Sequence, residues 1–181
     1  MKRTILFLAL VTLTATAFAQ SKETTSAIVT FDATTSIDNL PKAENKTVIG
    51  ALDTRTGDIG FEAAVKNFAF SNPMIQDHFG GEKWMNAAVH PVFTFTGKIT
   101  DLSKVNFTKN GTYTVPVSGD LSIRGVTKPL TTNATLVISN GVINATSSFS
   151  IKLADYGIKG VPIDAGKVSK QPQITVSASF K

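Results

Sequence analysis

The feature that most constrains the fold is an alternation of apolar and polar residues that recurs along most of the chain. The longest run extends from Tyr113 to Ile123, where apolar or small residues at every second position are separated mainly by Thr, Ser and Asp. Shorter runs begin at Ile59, Phe93 and Ala145. Successive side chains of a β-strand point to opposite faces, so this pattern predicts strands with one apolar and one polar face.

Turn signals separate the alternating runs. Asn110-Gly111 and Asn140-Gly141 each lie between two runs, and Asn-Gly readily adopts the positive φ angles that a two-residue hairpin turn needs. Thr56-Gly57-Asp58 is a third predicted turn. We count about eight strands, mostly neighbours in sequence, which predicts an antiparallel meander arranged as a closed barrel or as a sandwich.

Two places depart from the strand pattern. Residues 72–88 carry apolar side chains at helical spacing after Asn72, a good N-cap, and Pro73, which suits the first turn of a helix. We therefore predict a short helical insert there, with a second short helix from Lys83 to Ala88. Pro116 lies inside the longest run and lacks the N–H that a central strand uses, so we expect a bulge or a strand start at that point.

The N-terminal segment has the composition of a secretory signal peptide. Lys2 and Arg3 precede an apolar run over residues 5–13, and Ala17-Phe18-Ala19 forms an A-x-A cleavage site. A membrane anchor is the alternative, but the run is too short for a span, which takes about 20 residues. We predict cleavage of residues 1–19, export to the periplasm with an extracellular location as the alternative, and one domain over residues 20–181.

Composition and charge exclude several classes of protein. The 18 Lys and Arg against 13 Asp and Glu are scattered singly, so we predict no nucleic-acid partner. The chain contains no Cys, and its two His do not stand at a metal-ligand spacing. A metal enzyme using Asp77 and His78, with Glu82 nearby, is the catalytic alternative. With no G-x-S-x-G motif or P-loop either, we predict no metal, no catalytic residue and no enzymatic activity.

The predicted inward faces carry both aromatic and small residues. An eight-stranded barrel can fill its interior with side chains or hold a ligand there, and the pattern leaves both open. The small inward residues are Ala63, Gly97, Gly119, Ala145 and Ser147. The residues expected to line a cavity are Phe61, Met74, Phe79, Trp84, Met85, Phe93, Phe95, Val117, Leu121, Ile123, Phe149 and Ile151. Arg124 and His78 are the candidate contacts for a polar head group at its mouth.

Three segments of the chain resemble the YceI-like family. VSGDLSIRGVTKPL, from Val117 to Leu130, resembles its signature strand–turn–strand. SFSIKLADYGI, from Ser148 to Ile158, resembles its later strand and the aspartate–aromatic–glycine turn that follows. The region from Gln76 to Ile99 resembles the insert and strand of one branch of the family. The similarity runs in order over nearly the whole chain after the signal peptide.

The resemblance implies an all-β fold, an antiparallel eight-stranded lipocalin-like barrel with the short helical insert, exported to the periplasm. Members of the family hold a polyisoprenoid-type lipid, such as a quinone tail, in an elongated apolar pore, and no catalytic residues are attributed to them. We therefore expect non-catalytic carriage of an apolar chain lipid, with no cofactor other than a bound polyisoprenoid.

Two other kinds of barrel are alternatives to a lipid carrier. One is an exported interaction or stress-related barrel with a packed interior and no lipid. The other is an integral outer-membrane barrel, which we do not predict, because one Trp and two Tyr are too few for the aromatic girdles of that class.

Overall fold

The computed structural model describes residues 21–181, so the predicted signal peptide, residues 1–19, lies outside the described residues. The strands of the described part are β1 (Ser21–Asp32), β2 (Lys42–Asp53), β3 (Asp58–Ala64), β4 (Ala69–Phe70), β5 (Val92–Ile99), β6 (Gly111–Ile123), β7 (Val126–Ser139), β8 (Val142–Ser150) and β9 (Gln173–Phe180). The α-helices are α1 (Pro73–Gly80) and α2 (Val161–Asp164).

The eight long strands form one closed antiparallel barrel. Their order around the sheet is β1-β9-β8-β7-β6-β5-β3-β2, and a further pairing of β1 with β2 joins the two ends. The two-residue β4 adds to the edge of β2 through Ala43 and Phe70. The predicted eight-stranded barrel is confirmed, and closure between β1 and β2 decides against the sandwich.

The alternation in the sequence separates the inside of the barrel from the outside. Inward side chains such as Leu52, Leu136, Ile143 and Phe180 are fully buried, whereas the positions between them carry mostly Thr, Ser, Asn and Lys. Burying such apolar side chains is the main stabilising contribution in a chain without disulfides.

Two hairpins of the barrel are closed by two-residue turns with positive φ angles. Asn140-Gly141 joins β7 to β8 with φ angles of 51° and 81°, as predicted. Arg124-Gly125 joins β6 to β7 with φ angles of 52° and 74°, in agreement with the strand–turn–strand that the family resemblance implies for Val117 to Leu130. A positive φ is unusual for Arg, so the tight β6–β7 connection imposes this conformation on Arg124.

The prediction of a hairpin turn at Asn110-Gly111 is wrong. β5 ends at Ile99, and the connection to β6 includes a 3₁₀ turn over Leu102–Lys104 before Gly111 begins β6. The Asn110 side chain instead accepts a hydrogen bond from the backbone N–H of Asn140 at 3.0 Å. Asn110 therefore braces the neighbouring β7–β8 turn rather than forming one.

The expected irregularity at Pro116 is also absent. β6 pairs with β7 in an unbroken register across Pro116, which lies opposite Asn133. The carbonyl of Pro116 accepts from the N–H of Thr100 at 3.0 Å, so the nitrogen of Pro116 faces the β5 side as well. The pairing of β5 with β6 ends at Ile99, opposite Val117. Pro116, which has no N–H to donate, therefore lies just beyond the last residue pair of the β5–β6 ladder.

The insert between β4 and β5 contains one helix rather than two. The Asn72 side chain accepts from the N–H of Met74 at 2.9 Å, which confirms the predicted cap of α1. The second helix predicted from Lys83 to Ala88 is wrong, because the chain folds back in turns after Gly81. The N–H groups of Trp84 and Asn86 both reach the Gly81 carbonyl, and Asn86 has a φ of 48°.

Replacing Asn72 with Ala is expected to lower the free energy of unfolding by about 1 kcal/mol, since one N–H of the first turn of α1 loses its acceptor. Urea denaturation of the variant measures this change. Asn39→Ala, at an exposed position whose side chain caps no helix, is the control and should change stability by less than about 0.5 kcal/mol. Equal effects of the two substitutions would contradict the capping role.

Candidate functional site

An apolar cavity of about 140 Å³ lies inside the barrel. All eight long strands contribute to its wall, together with side chains from the connections that cover one end. The wall also contains residues that the sequence analysis did not name as cavity-lining, among them Val29 and Phe31 of β1, Val48 of β2, Phe68 before β4, and Leu153 and Ile158 after β8. The β1 residues alternate in the sequence and were therefore detectable, as was Leu153, which continues the alternating run from Ala145. Phe68 and Ile158 lie in irregular connections.

The cavity exists because the inward side chains do not fill the barrel completely. Some inward residues, such as Val115, Phe180 and Leu153, are buried. Others, such as Leu121 and Phe149, keep a partly exposed surface. Small wall residues, among them Ala63, Ala145 and Ser147, contribute to this gap. The interior is therefore neither completely packed nor a wide pore.

Ten of the twelve side chains predicted to line a cavity lie in its wall: Phe61, Phe79, Met85, Phe93, Phe95, Val117, Leu121, Ile123, Phe149 and Ile151. Met74 and Trp84 do not. Met74 is 66% exposed on the outer side of α1, because Phe79 is the helix residue that turns inward. Trp84 packs against the core from outside the wall. Helical spacing alone did not reveal which side of this short helix faces the barrel.

Two aromatic rings of the wall lie directly over glycines. A Cβ placed on Gly97 would lie 2.6 Å from the Cζ of Phe95, and Gly119, its partner across β5 and β6, lies under the same ring. A Cβ on Gly50 would lie 2.5 Å from the Phe61 ring. The space left by these glycines is thus occupied by protein rings, so Gly97 and Gly119 do not themselves provide room for a ligand.

A cluster of phenylalanines closes the barrel end next to α1. The ring centroid of Phe79 lies 5.0 Å from that of Phe70, 5.7 Å from Phe68, 5.9 Å from Phe31 and 6.5 Å from Phe93. Tilted and edge-on pairs at these distances are favourable arrangements for aromatic rings. Phe79 therefore anchors α1 to the barrel as a cover over the cavity.

The wall of the cavity contains no ionisable side chain within residues 21–181. Its polar inward groups include Thr132 and Ser147, whose hydroxyl oxygens lie 3.2 Å apart, and Ser147 donates to the Asn133 carbonyl at 2.8 Å. Nearby, burial is the main cause that raises the pKa of the Tyr156 phenol, and the charge of Asp155 adds to it. Such an interior can remove an apolar group from water, but it offers no charged group for acid–base chemistry.

Arg124 and His78 lie at the covered end of the barrel but in different surroundings. The Arg124 guanidinium donates to the Glu82 carbonyl at 3.2 Å and to the Gly157 carbonyl at 3.5 Å, and so bridges two connections. Its Nε is the buried side-chain polar atom that lacks a hydrogen-bond partner among residues 21–181. His78 is exposed on α1 and is not part of the cavity wall.

Two further features of the structure concern the alternatives. In the described range, no group of three or more His, Asp or Glu side chains is placed to hold a metal ion, and Asp77, His78 and Glu82 form no such cluster. Neither helix of residues 21–181 combines the length and the apolar character that a membrane-spanning helix requires.

A small antiparallel β-barrel with an apolar internal cavity is the class of protein that these features define. The model of the YceI-like domain matches residues 9–180, and the chain therefore belongs to the YceI-like family. The resemblance read from the three sequence segments is confirmed. A comparison with curated protein sequences gives no match.

Solved structures share the fold at low sequence identity. A polyisoprenoid-binding domain from Saccharophagus degradans, implicated in plant cell wall breakdown, superposes with a TM-score of 0.75 at 15% identity, over 90% of this chain and 98% of that chain. BcnA from Burkholderia cenocepacia has a TM-score of 0.70 at 19% identity, over 84% and 95% of the two chains. The YCEI protein of Campylobacter jejuni has a TM-score of 0.53 at 15% identity, over 100% and 99%. These similarities establish the fold.

Proposed function

We propose that this protein binds and carries an apolar chain lipid of the polyisoprenoid type in the cavity of its barrel, without catalysing a reaction. The observation that carries the proposal is the apolar wall, to which every long strand contributes and which contains no ionisable group. The polyisoprenoid-binding neighbour from Saccharophagus degradans supports the same class of ligand.

The energy of binding would come from removing the chain from water. Burial of hydrocarbon contributes about 0.8 kcal/mol for each CH₂ group, so a few five-carbon prenyl units offset the loss of translational and conformational freedom. The wall side chains Phe61, Phe93, Phe95 and Phe149 supply contact area without requiring a polar partner.

The volume of the cavity limits how much of a lipid chain can enter before side chains of the wall have to move. A cavity of about 140 Å³ is close to the ~150 Å³ engineered cavity that accepts a benzene-sized ligand. A longer chain requires partly buried rings such as Phe61 and Phe95 to leave their positions over Gly50 and Gly97. Ligand binding is thus expected to be accompanied by rotation of these rings.

The covered end of the barrel is the proposed site for a polar head group. The Arg124 Nε is buried without a partner and is therefore available to donate to a ketone or hydroxyl oxygen of the ligand. His78 is the proposed second contact, from the exposed face of α1. We also propose that the protein acts in the periplasm after removal of residues 1–19, a location that cell fractionation tests.

The proposed function is tested by extracting protein purified from the producing cells with organic solvent and analysing the extract by mass spectrometry. We expect a polyisoprenoid or isoprenoid-quinone lipid in amounts comparable with the protein. Protein stripped of lipid should also take up added geranylgeraniol, which gel filtration of the mixture would detect. Absence of a co-purifying lipid, together with no uptake of geranylgeraniol, would overturn the proposal.

The alternative of an exported interaction module is favoured by one observation, the small volume of the cavity relative to a long lipid. Under that alternative the interior is structural, and its rings keep their places over the glycines when geranylgeraniol is added. Chemical shifts of the Phe61 and Phe95 ring protons separate the two, because they move only if the ligand enters.

A further inference from the structure

The antiparallel order of the barrel gathers four of its connections at one end. We call this the loop end. It consists of residues 33–41, 65–91, 124–125 and 151–172. The opposite end consists of residues 54–57, 100–110 and 140–141. The loop end therefore carries the two longest connections, 65–91 and 151–172, and with them both α-helices.

Hydrogen bonds and packing join the connections of the loop end into one surface. The N–H of Ser169 donates to the Ala33 carbonyl at 2.8 Å. Arg124 bridges the connection containing Glu82 and the one containing Gly157. A cluster of residues fixed in this way presents its outward side chains in a constant arrangement.

Exposed apolar side chains are concentrated at this end. Val161 is 78% exposed, Ile37 69%, Met74 66%, Val89 64% and Leu40 41%, and all five lie in loop-end connections. Among the large apolar side chains of residues 21–181, none with comparable exposure lies in a connection of the opposite end. Single exposed apolar residues need no explanation, but several in one region mark an interaction surface.

Exposed lysines accompany these apolar side chains. Lys83, Lys159, Lys167 and Lys170 are exposed, and none lies within ion-pair distance of a carboxylate among residues 21–181. The loop-end connections contain seven Lys and Arg against five Asp and Glu, a net excess of two positive charges. At the opposite end Arg55 pairs with Asp53 and Lys104 with Asp101, whereas Lys109 has no ion-pair partner within residues 21–181. The loop end thus combines projecting apolar groups with a small excess of positive charge, a combination that favours the surface of an anionic bilayer.

The same connections separate the cavity from solvent. The insert presents Phe79 to the cavity and Met74 to solvent. The connection after β8 presents Ile158 to the cavity and Val161 to solvent. A bilayer touching the outer side chains would lie next to the cover of the cavity, so an apolar chain could pass between them without crossing water.

We propose that the loop end docks on anionic lipid bilayers, with Met74, Val161 and Ile37 entering the interfacial region and the lysines contacting lipid phosphates. This extends the proposed function, on which the choice of a bilayer as the partner rests in part. The exposed apolar side chains insert into the interfacial region of the membrane. The lysines add an electrostatic attraction to anionic lipids that weakens as the salt concentration rises.

The test is co-sedimentation of the purified protein with vesicles of phosphatidylcholine mixed with phosphatidylglycerol, compared with vesicles of phosphatidylcholine alone. We expect binding to the mixed vesicles and at least about tenfold weaker binding to the neutral ones. The double variant Met74→Ser with Val161→Ser should bind the mixed vesicles about tenfold more weakly. Ile49→Ser with Val137→Ser, at exposed apolar positions on the barrel wall, is the matched control and should bind as the unmodified protein.

Two double variants, each replacing two lysines, test the electrostatic contribution to vesicle binding. Lys159→Gln with Lys167→Gln should weaken binding and reduce its dependence on salt. Lys22→Gln with Lys109→Gln, which replaces two lysines near the opposite end, is the control and should change neither the binding nor its dependence on salt. Circular dichroism establishes that each variant is folded, and because all these side chains are at the surface, large losses of stability are not expected.

Three outcomes would overturn the docking proposal: no binding to the mixed vesicles, equal binding of the loop-end and control variants, or a dimer in light scattering that Met74→Ser abolishes. The last result would assign the surface to a second copy of the chain. Mass spectrometry of the bound lipid is read separately. If the purified protein contains lipid but does not bind vesicles, only the docking proposal is overturned. If the protein binds vesicles but neither contains nor takes up a lipid, only the proposed function is overturned.

Discussion

Replacing Ala145 with Phe is expected to remove nearly all lipid from the purified protein while leaving the barrel folded. Ala145 lies in the cavity wall on β8, between Leu136 and Ala178 of the neighbouring strands. A benzyl group there would occupy much of the 140 Å³ cavity. Filling an existing gap strains the core less than overpacking, which typically costs about 1–3 kcal/mol. Mass spectrometry of the solvent extract and thermal unfolding measure the two effects.

Asn144→Phe is the matched control for this substitution. Asn144 is the neighbouring residue on the same strand, but it is exposed on the outer face, so the added ring does not reach the cavity. The control should retain its lipid. Ala63→Phe, on β3 across the barrel from β8, should reproduce the loss from the opposite wall. Retention of lipid by folded Ala145→Phe and Ala63→Phe proteins would show that the ligand is not held in this cavity.

Replacing Gly119 with Ala is expected to lower the free energy of unfolding by about 3 kcal/mol. The new methyl group would press on the Cα of Gly97 and the carbonyl oxygen of Thr96, which are backbone atoms of β5, and would lie 2.9 Å from the Phe95 ring. A flexible side chain could move aside, but the backbone of a paired strand cannot. For a domain of this size the midpoint of thermal unfolding should fall by roughly 6–12 °C.

Gly60→Ala is the control for the glycine substitution. Gly60 lies on the adjacent strand β3, where the nearest atom to an added Cβ is the Phe95 carbonyl oxygen at 3.8 Å. An ordinary van der Waals contact of this kind should change stability by less than about 1 kcal/mol. Similar effects of the two substitutions would mean that the close approach of β5 and β6 at Gly97 and Gly119 is not a constraint.

The side chains that line the cavity could be predicted from the sequence only where a local pattern determines which way a side chain points. Phe61, Phe93 and Phe149 stand on inward positions of alternating strands, and all three lie in the cavity wall. Met74 has the same apolar character, but its orientation depends on which face of α1 packs on the barrel, and eight residues of helix do not specify that. Phe68 and Ile158 were missed because irregular connections have no period from which burial follows.

The sequence by itself determined strands such as β3, β5, β6 and β8, which of their faces is apolar, and where the Asn140-Gly141 turn lies. These properties depend on residues that are near one another along the chain. In a strand, successive side chains point to opposite faces, so the face of each residue follows from its place in the alternation alone. The tertiary structure alone decided the pairing of β1 with β2 that closes the barrel, the tolerance of Pro116 at the end of the β5–β6 ladder, and the placing of aromatic rings over Gly50 and Gly97. Each of these depends on atoms brought together from distant parts of the chain, and the cavity exists because such contacts fill the interior of the closed barrel only in part.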